Sequence, residues 1–108
     1  MLVWFIYDIV KDKPRKKLAD KAIEQGLHRV QKSVFLGNID SNVLDELVIY
    51  AEEVINVEDD SVYVFPMCQS DFNKIELIGQ AFNKAMVNDE MCCVKTFYSL
   101  IPFNFLTY

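Results

Sequence analysis

The feature that most constrains the fold is an unbroken run of β-forming residues at the start of the chain, from Leu2 to Tyr7, which ends at Asp8. The run is too short for a helix, and it lacks the alternation of polar and apolar residues that is typical of a strand with one solvent-exposed face. We therefore predict a strand that is buried on both faces and hence central in its sheet. The side chain of Asp8 then emerges at the end of that strand.

The rest of the chain predicts a β-α-β-β-α-β order. The predicted elements are, in sequence, a helix capped by Asp12 and closed by Gly26, a β-rich stretch over residues 28–39, a helix capped by Ser41, and a strand over residues 61–68. The β-rich stretch is long for one strand, so we expect it to contain two strands, or one strand with a bend near Lys32 and Ser33. Residues 75–78 are predicted as a short strand, residues 80–86 as a helix and residues 91–100 as a final strand. This split βαβ order predicts a two-layer α/β sandwich with both helices on one face of the sheet.

A chain of 108 residues supports one domain, which we assign to residues 1–108. We expect its core to occupy roughly residues 1–80 and a C-terminal extension to occupy residues 81–108. Hydrophobic residues make up 52% of the chain and charged residues 25%, which excludes a disordered chain. Because so small a core gives modest stability, we expect the apolar extension to contact a second subunit or another partner.

No apolar stretch approaches the ~20 residues of a membrane helix, and the first apolar run is too short for a secretory signal. The three cysteines, Cys68, Cys92 and Cys93, lack the spacing of a metal site. We expect them to be reduced packing residues. The sequence therefore predicts a cytoplasmic protein without a membrane partner.

Charge is distributed unevenly along the chain, whose net charge is -5. The segment from Lys11 to Lys32 contains eight bases and three acids, and the segment from Asp40 to Asp60 contains eight acids and no base. A basic face on a small acidic domain can bind a phosphate backbone on one side only. The alternative is that both segments are merely solvated helix faces, and charge alone does not decide between the two.

Asp8 is the best candidate for chemistry, although a strand-terminal Asp also commonly caps a turn or a helix. One chain offers no further carboxylate at ligand-like spacing from it. Two Asp8 side chains that met across a twofold axis could hold Mg²⁺, which often takes one or two carboxylates and keeps several waters. His28, the one histidine, is a possible general base, but an ordinary strand or turn residue is the simpler interpretation.

The first 68 residues resemble the CRISPR-associated protein 2 family, small dimeric proteins of prokaryotic adaptive immunity. The matching elements are Tyr7-Asp8-Ile9, Arg15 and Lys17 in the first helix, Gly26, Arg29, the run from Gln31 to Phe35, and Asp60-Ser61-Val62. These elements occur in order and at family-like spacing. Beyond Phe72 the resemblance is loose.

The resemblance implies a ferredoxin-like βαββαβ homodimer with an extra C-terminal strand. It implies that Asp8 is catalytic and that the Asp8 side chains of two subunits share one Mg²⁺ or Mn²⁺ ion. It also implies cleavage of single-stranded RNA or double-stranded DNA, and a role in spacer acquisition beside dimers of the CRISPR integrase. The remaining site residues predicted on this basis are Arg15, Lys17 and Arg29 as nucleic-acid ligands and Tyr7, Ser33 and Phe35 in the dimer cleft.

Lys17 departs from the family pattern, because some nuclease-active relatives carry Arg there. Lysine keeps the charge but loses bidentate phosphate geometry. Two alternatives to a nuclease therefore stay open. One is a DNA-binding bridge without catalytic activity in the integrase complex, and the other is a ferredoxin-like module that senses a small ligand.

Overall fold

The computed structural model describes residues 1–79 and residue 82. Seven elements follow one another along this part of the chain: β1 (Leu2–Asp8), α1 (Asp12–Glu24), β2 (His28–Gln31), β3 (Val34–Asn38), α2 (Ser41–Val54), β4 (Ser61–Met67) and the short α3 (Gln69–Asn73). The predicted β-α-β-β-α-β order is confirmed. None of the helices in the described part is long and apolar enough to cross a membrane.

The four strands form one antiparallel sheet in the order β2-β3-β1-β4. Strand β1 pairs along its length with β3 on one side and with β4 on the other, so its predicted central position is confirmed. Strand β4 lies at an edge, which explains how Pro66 is accommodated, since an edge strand leaves one row of backbone groups outside the ladder. This strand order and the two helices make the fold ferredoxin-like, as predicted.

The main core lies between the sheet and helices α1 and α2. Strand β1 contributes Val3, Phe5 and Tyr7 from one face, all at most 3% exposed. The helices contribute Leu18, Ala19 and Ala22 from α1 and Leu47 and Ala51 from α2. Ile23 of the same helix is 45% exposed. The helix therefore buries mainly small residues, which lets it lie close to the sheet.

The residues that the structure describes cover the opposite face of the sheet only in part. A smaller cluster forms there from Leu2, Val30 and Leu36 around Phe72 of α3. Along β4 the rings of Tyr63 and Phe65 stack with their centroids 6.2 Å apart, and each residue is about half exposed. Thus β1 is flanked by apolar residues on both faces, but the second face stays open beside β4.

Of the three helix ends predicted from the sequence, the one at Gly26 is confirmed, and the two N-caps at Asp12 and Ser41 are not. Gly26 has a φ of 101° just after α1, and the amides of Gly26 and Leu27 donate to the carbonyls of Ile23 and Ala22 at 3.0 Å each. This is the hydrogen-bond pattern of a Schellman motif. Asp12 and Ser41, predicted as N-caps, are instead the first helical residues, and neither helix has a side-chain cap.

The chain after β4 differs from the sequence prediction. Residues 75–78 do not form a strand, and a short helix, α3, precedes them. Phe72 of α3 is fully buried and brings Ile75 against the smaller cluster, so packing rather than strand pairing orders this segment. The predicted helix over 80–86, the final strand over 91–100 and the partner contact of 81–108 lie outside the described residues. The division into one domain with a core up to residue 80 stays a prediction.

Candidate metal and nucleic-acid site

Asp8 is the last residue of β1 and lies opposite Ser61, the first residue of β4. It is exposed, whereas its neighbours Tyr7 and Ile9 are buried. In the part of the chain that the structure describes, the Asp8 carboxylate has no hydrogen bond and no ion pair. Because Asp8 is paired with Ser61 and the amide of Tyr7 before it is bonded to Ser33, the backbone that carries this carboxylate is held firmly, as the sequence predicted from its position.

Three loops meet at the same end of the sheet. The amide of Tyr7 donates to the carbonyl of Ser33 at 3.1 Å, which holds the β2–β3 turn against the end of β1. The amide of Val10 donates to Oδ1 of Asp60 at 3.0 Å, which joins the β1–α1 loop to the α2–β4 turn. Asp8 therefore lies between two hydrogen-bonded contacts, one from the residue before it to the β2–β3 turn and one from the β1–α1 loop after it to the α2–β4 turn.

The carboxyl of Asp60, at this end of the sheet, has a lowered pKa. The amides of Val10 and Asn56 donate to its carboxylate, and Lys11 adds a smaller favourable charge. These donors stabilise the ionised form and hold the pKa of the carboxyl below its ordinary value of 3.8. Asp60 is thus a charged structural group beside the candidate site.

Arg29 was predicted as a nucleic-acid ligand, but the structure places it inside the protein. It is 7% exposed, and its Nε and one terminal nitrogen donate to the carbonyl of Lys32 at 3.1 and 2.7 Å. Its guanidinium also lies 5.3 Å from the centre of the Phe35 ring. This arrangement shapes the β2–β3 turn and leaves little of the guanidinium for a phosphate.

The predicted cleft residues Tyr7 and Phe35 are also core residues. Tyr7 is 3% exposed and Phe35 is fully buried, and their rings lie 5.9 Å apart under the helices. Neither ring reaches the surface of this chain, so their assignment to a dimer cleft is corrected. Ser33 alone of the three is partly exposed, in the β2–β3 turn beside the end of β1.

The basic residues of α1 divide into paired and free ones. Arg15 forms an ion pair with Asp12, and Lys16 forms one with Asp20 at 2.9 Å. Lys17 is exposed and, within the described residues, has no ion pair. Lys11, Lys13 and Lys32 share this state. The structure therefore leaves four lysines free to contact phosphates, and of the predicted ligands Lys17 is the most accessible.

A metal ion would find few ligands in one chain. Among residues 1–79 and 82, no three His, Cys, Asp or Glu side chains lie together in a way that could hold a metal ion. Asp8 offers a single unpaired carboxylate, which fits a hydrated Mg²⁺ but binds it weakly alone. The donor set is therefore compatible with a metal only where a second carboxylate, such as Asp8 of another copy, completes it.

The sequence did not identify Lys32 and Asp60 as individual residues of this site. Lys32 lies in the turn whose next residue, Ser33, contacts β1, and it was counted only as part of a basic segment. Asp60 appeared only within a matching motif, although its position just before β4 placed it at the same end of the sheet as Asp8. His28, considered as a base, is a partly buried residue of β2 that pairs with Leu36, away from the turn.

Comparisons with known proteins show which family the sequence resembles. The sequence profile of a family described as CRISPR associated protein Cas2 matches residues 1–75. The chain is 35% identical over 65 residues to the CRISPR-associated endoribonuclease Cas2 of Desulforudis audaxviator, across 60% of this chain and 61% of the relative. It is 33% identical over 82 residues to the protein of the same name from Korarchaeum cryptofilum, across 72% of this chain and 84% of the relative.

Solved structures show the same fold. A hypothetical protein from Thermus thermophilus superposes with a TM-score of 0.66 at 29% identity, over 76% of this chain and 94% of that one. Cas2 of Streptococcus pyogenes superposes with a TM-score of 0.64 over 73% of this chain and all of that one. The identity to the second is 21%, so this likeness concerns the fold alone.

Proposed function

Because the chain belongs to the Cas2 family of CRISPR-associated proteins, as its sequence resemblance predicted, we propose that it is a metal-dependent endonuclease of CRISPR spacer acquisition. Its substrate is single-stranded RNA or double-stranded DNA. The observation that carries the proposal is the exposed Asp8 carboxylate, unpaired among the described residues, at the end of a central strand. Relatives that carry the name endoribonuclease support hydrolysis of a phosphodiester.

The protein's own groups have two tasks in this reaction. Asp8 of each subunit would hold Mg²⁺ or Mn²⁺, which, when bound, would polarise a phosphoryl oxygen and make a bound water more acidic. The free lysines at the start of α1 and in the β2–β3 turn hold the phosphates on either side of the scissile bond. Lys17 contributes charge without the bidentate geometry of an arginine.

The homodimer is part of the proposal, because one chain supplies too few ligands. The half-exposed Tyr63 and Phe65 on the open face of the sheet support a contact that removes them from water. The proposed dimer also acts beside the CRISPR integrase. We place it in the cytoplasm, where the free thiol of Cys68 stays reduced.

The test is Asp8→Asn, which keeps the shape of the side chain and removes its charge. We expect cleavage of RNA and of duplex DNA to require Mg²⁺ or Mn²⁺ and to fall to background in this variant. Asp45→Asn, which removes an exposed carboxylate from α2, is the control and should cleave normally. Cleavage by Asp8→Asn in the presence of EDTA would refute the proposal.

A second function is favoured by the same structure. Within the described residues, the segment from Lys11 to Lys32 has four exposed lysines without an ion pair, whereas the sheet end has a single unpaired carboxylate, and this balance suits binding of a phosphate backbone. In this alternative the dimer is a bridge that holds DNA between integrase dimers without cutting it. An integration assay with Asp8→Ala separates the two, because spacer integration survives the loss of Asp8 only if the role is architectural.

A further inference from the structure

The carboxylate of Asp60 joins two loops that are far apart in sequence. Its Oδ1 accepts a hydrogen bond from the amide of Val10 at 3.0 Å, and its Oδ2 accepts one from the amide of Asn56 at 2.9 Å. Val10 lies 50 residues before Asp60. A single side chain thus connects the loop after the candidate metal ligand to the turn before β4.

The turn that carries Asp60 is itself closely hydrogen-bonded. The amides of Asp59 and Asp60 donate to the carbonyl of Asn56 at 3.1 and 2.8 Å. The side-chain oxygen of Asn56 accepts from the amide of Glu58 at 3.0 Å. These hydrogen bonds fix the backbone of the turn and thereby hold the Asp60 carboxylate in place. Because each of its oxygens already accepts from an amide, Asp60 is poorly placed to serve as a metal ligand itself.

Among the described residues, the hydrogen bond to Asp60 is the one hydrogen bond that Val10 makes. The side chain of Val10 is 68% exposed, so packing does not fix it, whereas Ile9 before it is 4% exposed. On the other side of Asp8, the amide of Tyr7 is bonded to Ser33, and Asp8 itself is paired with Ser61. Core packing of Ile9 therefore holds the residue directly after Asp8, and the hydrogen bond from Val10 to Asp60 holds the next residue on the way to α1.

We propose that Asp60 is a positioning residue, which fixes the segment from Val10 to Lys11 and, together with the core packing of Ile9, aims the Asp8 carboxylate relative to the basic first turn of α1. The inference rests on the proposed role of Asp8 as a metal ligand. A hydrogen-bonded group behind a metal ligand typically changes metal affinity or activity by about 10–100-fold when it is removed. Asp60 acts through the backbone, so we expect the lower end of that range.

The experiment compares Asp60→Ala, which loses both contacts, with Asp60→Asn, which keeps one acceptor oxygen. The matched control is Asp59→Ala, which removes the same charge from the same turn; the carboxylate of Asp59 accepts only the side-chain amide of Asn56, at 3.1 Å. Three quantities are measured below the melting temperature of every variant: amide hydrogen exchange at Val10, the Kd for Mn²⁺, and kcat and KM for cleavage.

In Asp60→Ala we expect faster exchange at Val10, about tenfold weaker Mn²⁺ binding and a lower kcat with unchanged KM. Asp60→Asn should recover part of each loss, and Asp59→Ala should match the wild type in all three. If the Asp60 variants lose only global stability and bind Mn²⁺ normally, the residue merely stabilises its turn and the inference is wrong.

Failure of the proposed function is recognised separately. If Asp8→Asn binds Mn²⁺ as tightly as the wild type, Asp8 is not the ligand, and the proposed function fails. The exchange rate at Val10 still tests the positioning contact in that case. Normal protection of Val10 in Asp60→Ala would overturn it, whereas lost protection would show that Asp60 holds this loop.

Discussion

Arg29 and Lys17 belong to the same basic segment, yet the fold gives them opposite environments. The guanidinium of Arg29 is buried, bonded to the carbonyl of Lys32 and stacked over Phe35. The ammonium of Lys17 is exposed and, in the described part of the chain, has no ion pair. One residue therefore stabilises the fold, and the other is available to a phosphate.

This difference predicts opposite phenotypes for two alanine variants. Arg29→Ala leaves the carbonyl of Lys32 without its charged donor and opens a space beside Phe35, so the free energy of unfolding should fall by about 2–4 kcal/mol. Lys17→Ala should change stability by less than about 0.5 kcal/mol but weaken binding to duplex DNA. Urea unfolding and a DNA titration measure the two effects, and the reverse pattern would contradict the assignment.

The lowered pKa of Asp60 predicts a loss of stability in acid. Its folded-state pKa lies below 3.8, so its contribution to stability is fully present above that value. The contribution is lost as the pH falls through the lowered pKa. Between about pH 5 and about pH 3 the urea midpoint should therefore fall further for the wild type than for Asp60→Asn. The same series with Asp59→Asn is the control, and parallel curves for all three proteins would refute the prediction.

The sequence identified single residues where their role depends on their neighbours along the chain. Gly26 was predicted from the end of a helical pattern, and Asp8 from the end of an apolar run. The burial of Arg29 and the contact of Asp60 with Val10 could not be predicted in this way. Both depend on which strands become neighbours, and the second joins residues 50 positions apart.

Elements were predictable where one strong pattern dominates. The apolar run of β1 has no polar side that could face water, so its central place in the sheet followed from the sequence. The helix starts at Asp12 and Ser41 were misplaced by one residue, because a preference for capping does not specify which side chain accepts the amide. Residues 75–78 were mistaken for a strand, because Phe72, buried by tertiary contacts, decides how that segment lies.

Gly37 shows how closely β3 approaches the end of α1. A Cβ at this position would lie 2.9 Å from Cδ2 of Leu27 and 3.1 Å from both the carbonyl oxygen of Gly26 and the Cα of Leu27. Backbone atoms yield little, so Gly37→Ala should lower the free energy of unfolding by about 1–3 kcal/mol, as overpacking does. Gln31→Ala, at an exposed strand position, should change it by less than about 0.5 kcal/mol. Equal urea midpoints for both variants would show that the end of α1 can shift to make room for the added methyl group without loss of stability.

Over the whole molecule, opposite charges are carried by two helices that lie side by side. Helix α1 holds the basic residues and α2 the acidic ones, and both pack on the same face of the sheet. They touch where Gln25 donates to Glu46 at 3.3 Å and where the Lys21 ammonium lies 5.3 Å from the ring of Tyr50. Within the described residues, this charge layout favours the α1 side of the helix layer over the α2 side for contact with a phosphate backbone.

This charge layout predicts the salt dependence of DNA binding. Each phosphate contact contributes a slope of about −0.9 to log K against log salt, so replacing Lys13, Lys16 and Lys17 together with alanine should flatten the slope and weaken binding to unrelated sequences equally. Neutralising the acids of α2, namely Asp45, Glu46, Glu52 and Glu53, removes repulsion and should leave affinity unchanged or raise it. A DNA titration at several salt concentrations measures both effects. If the acidic variant loses binding and the lysine variant retains it, the DNA lies against α2, and the assignment of the two faces must be exchanged.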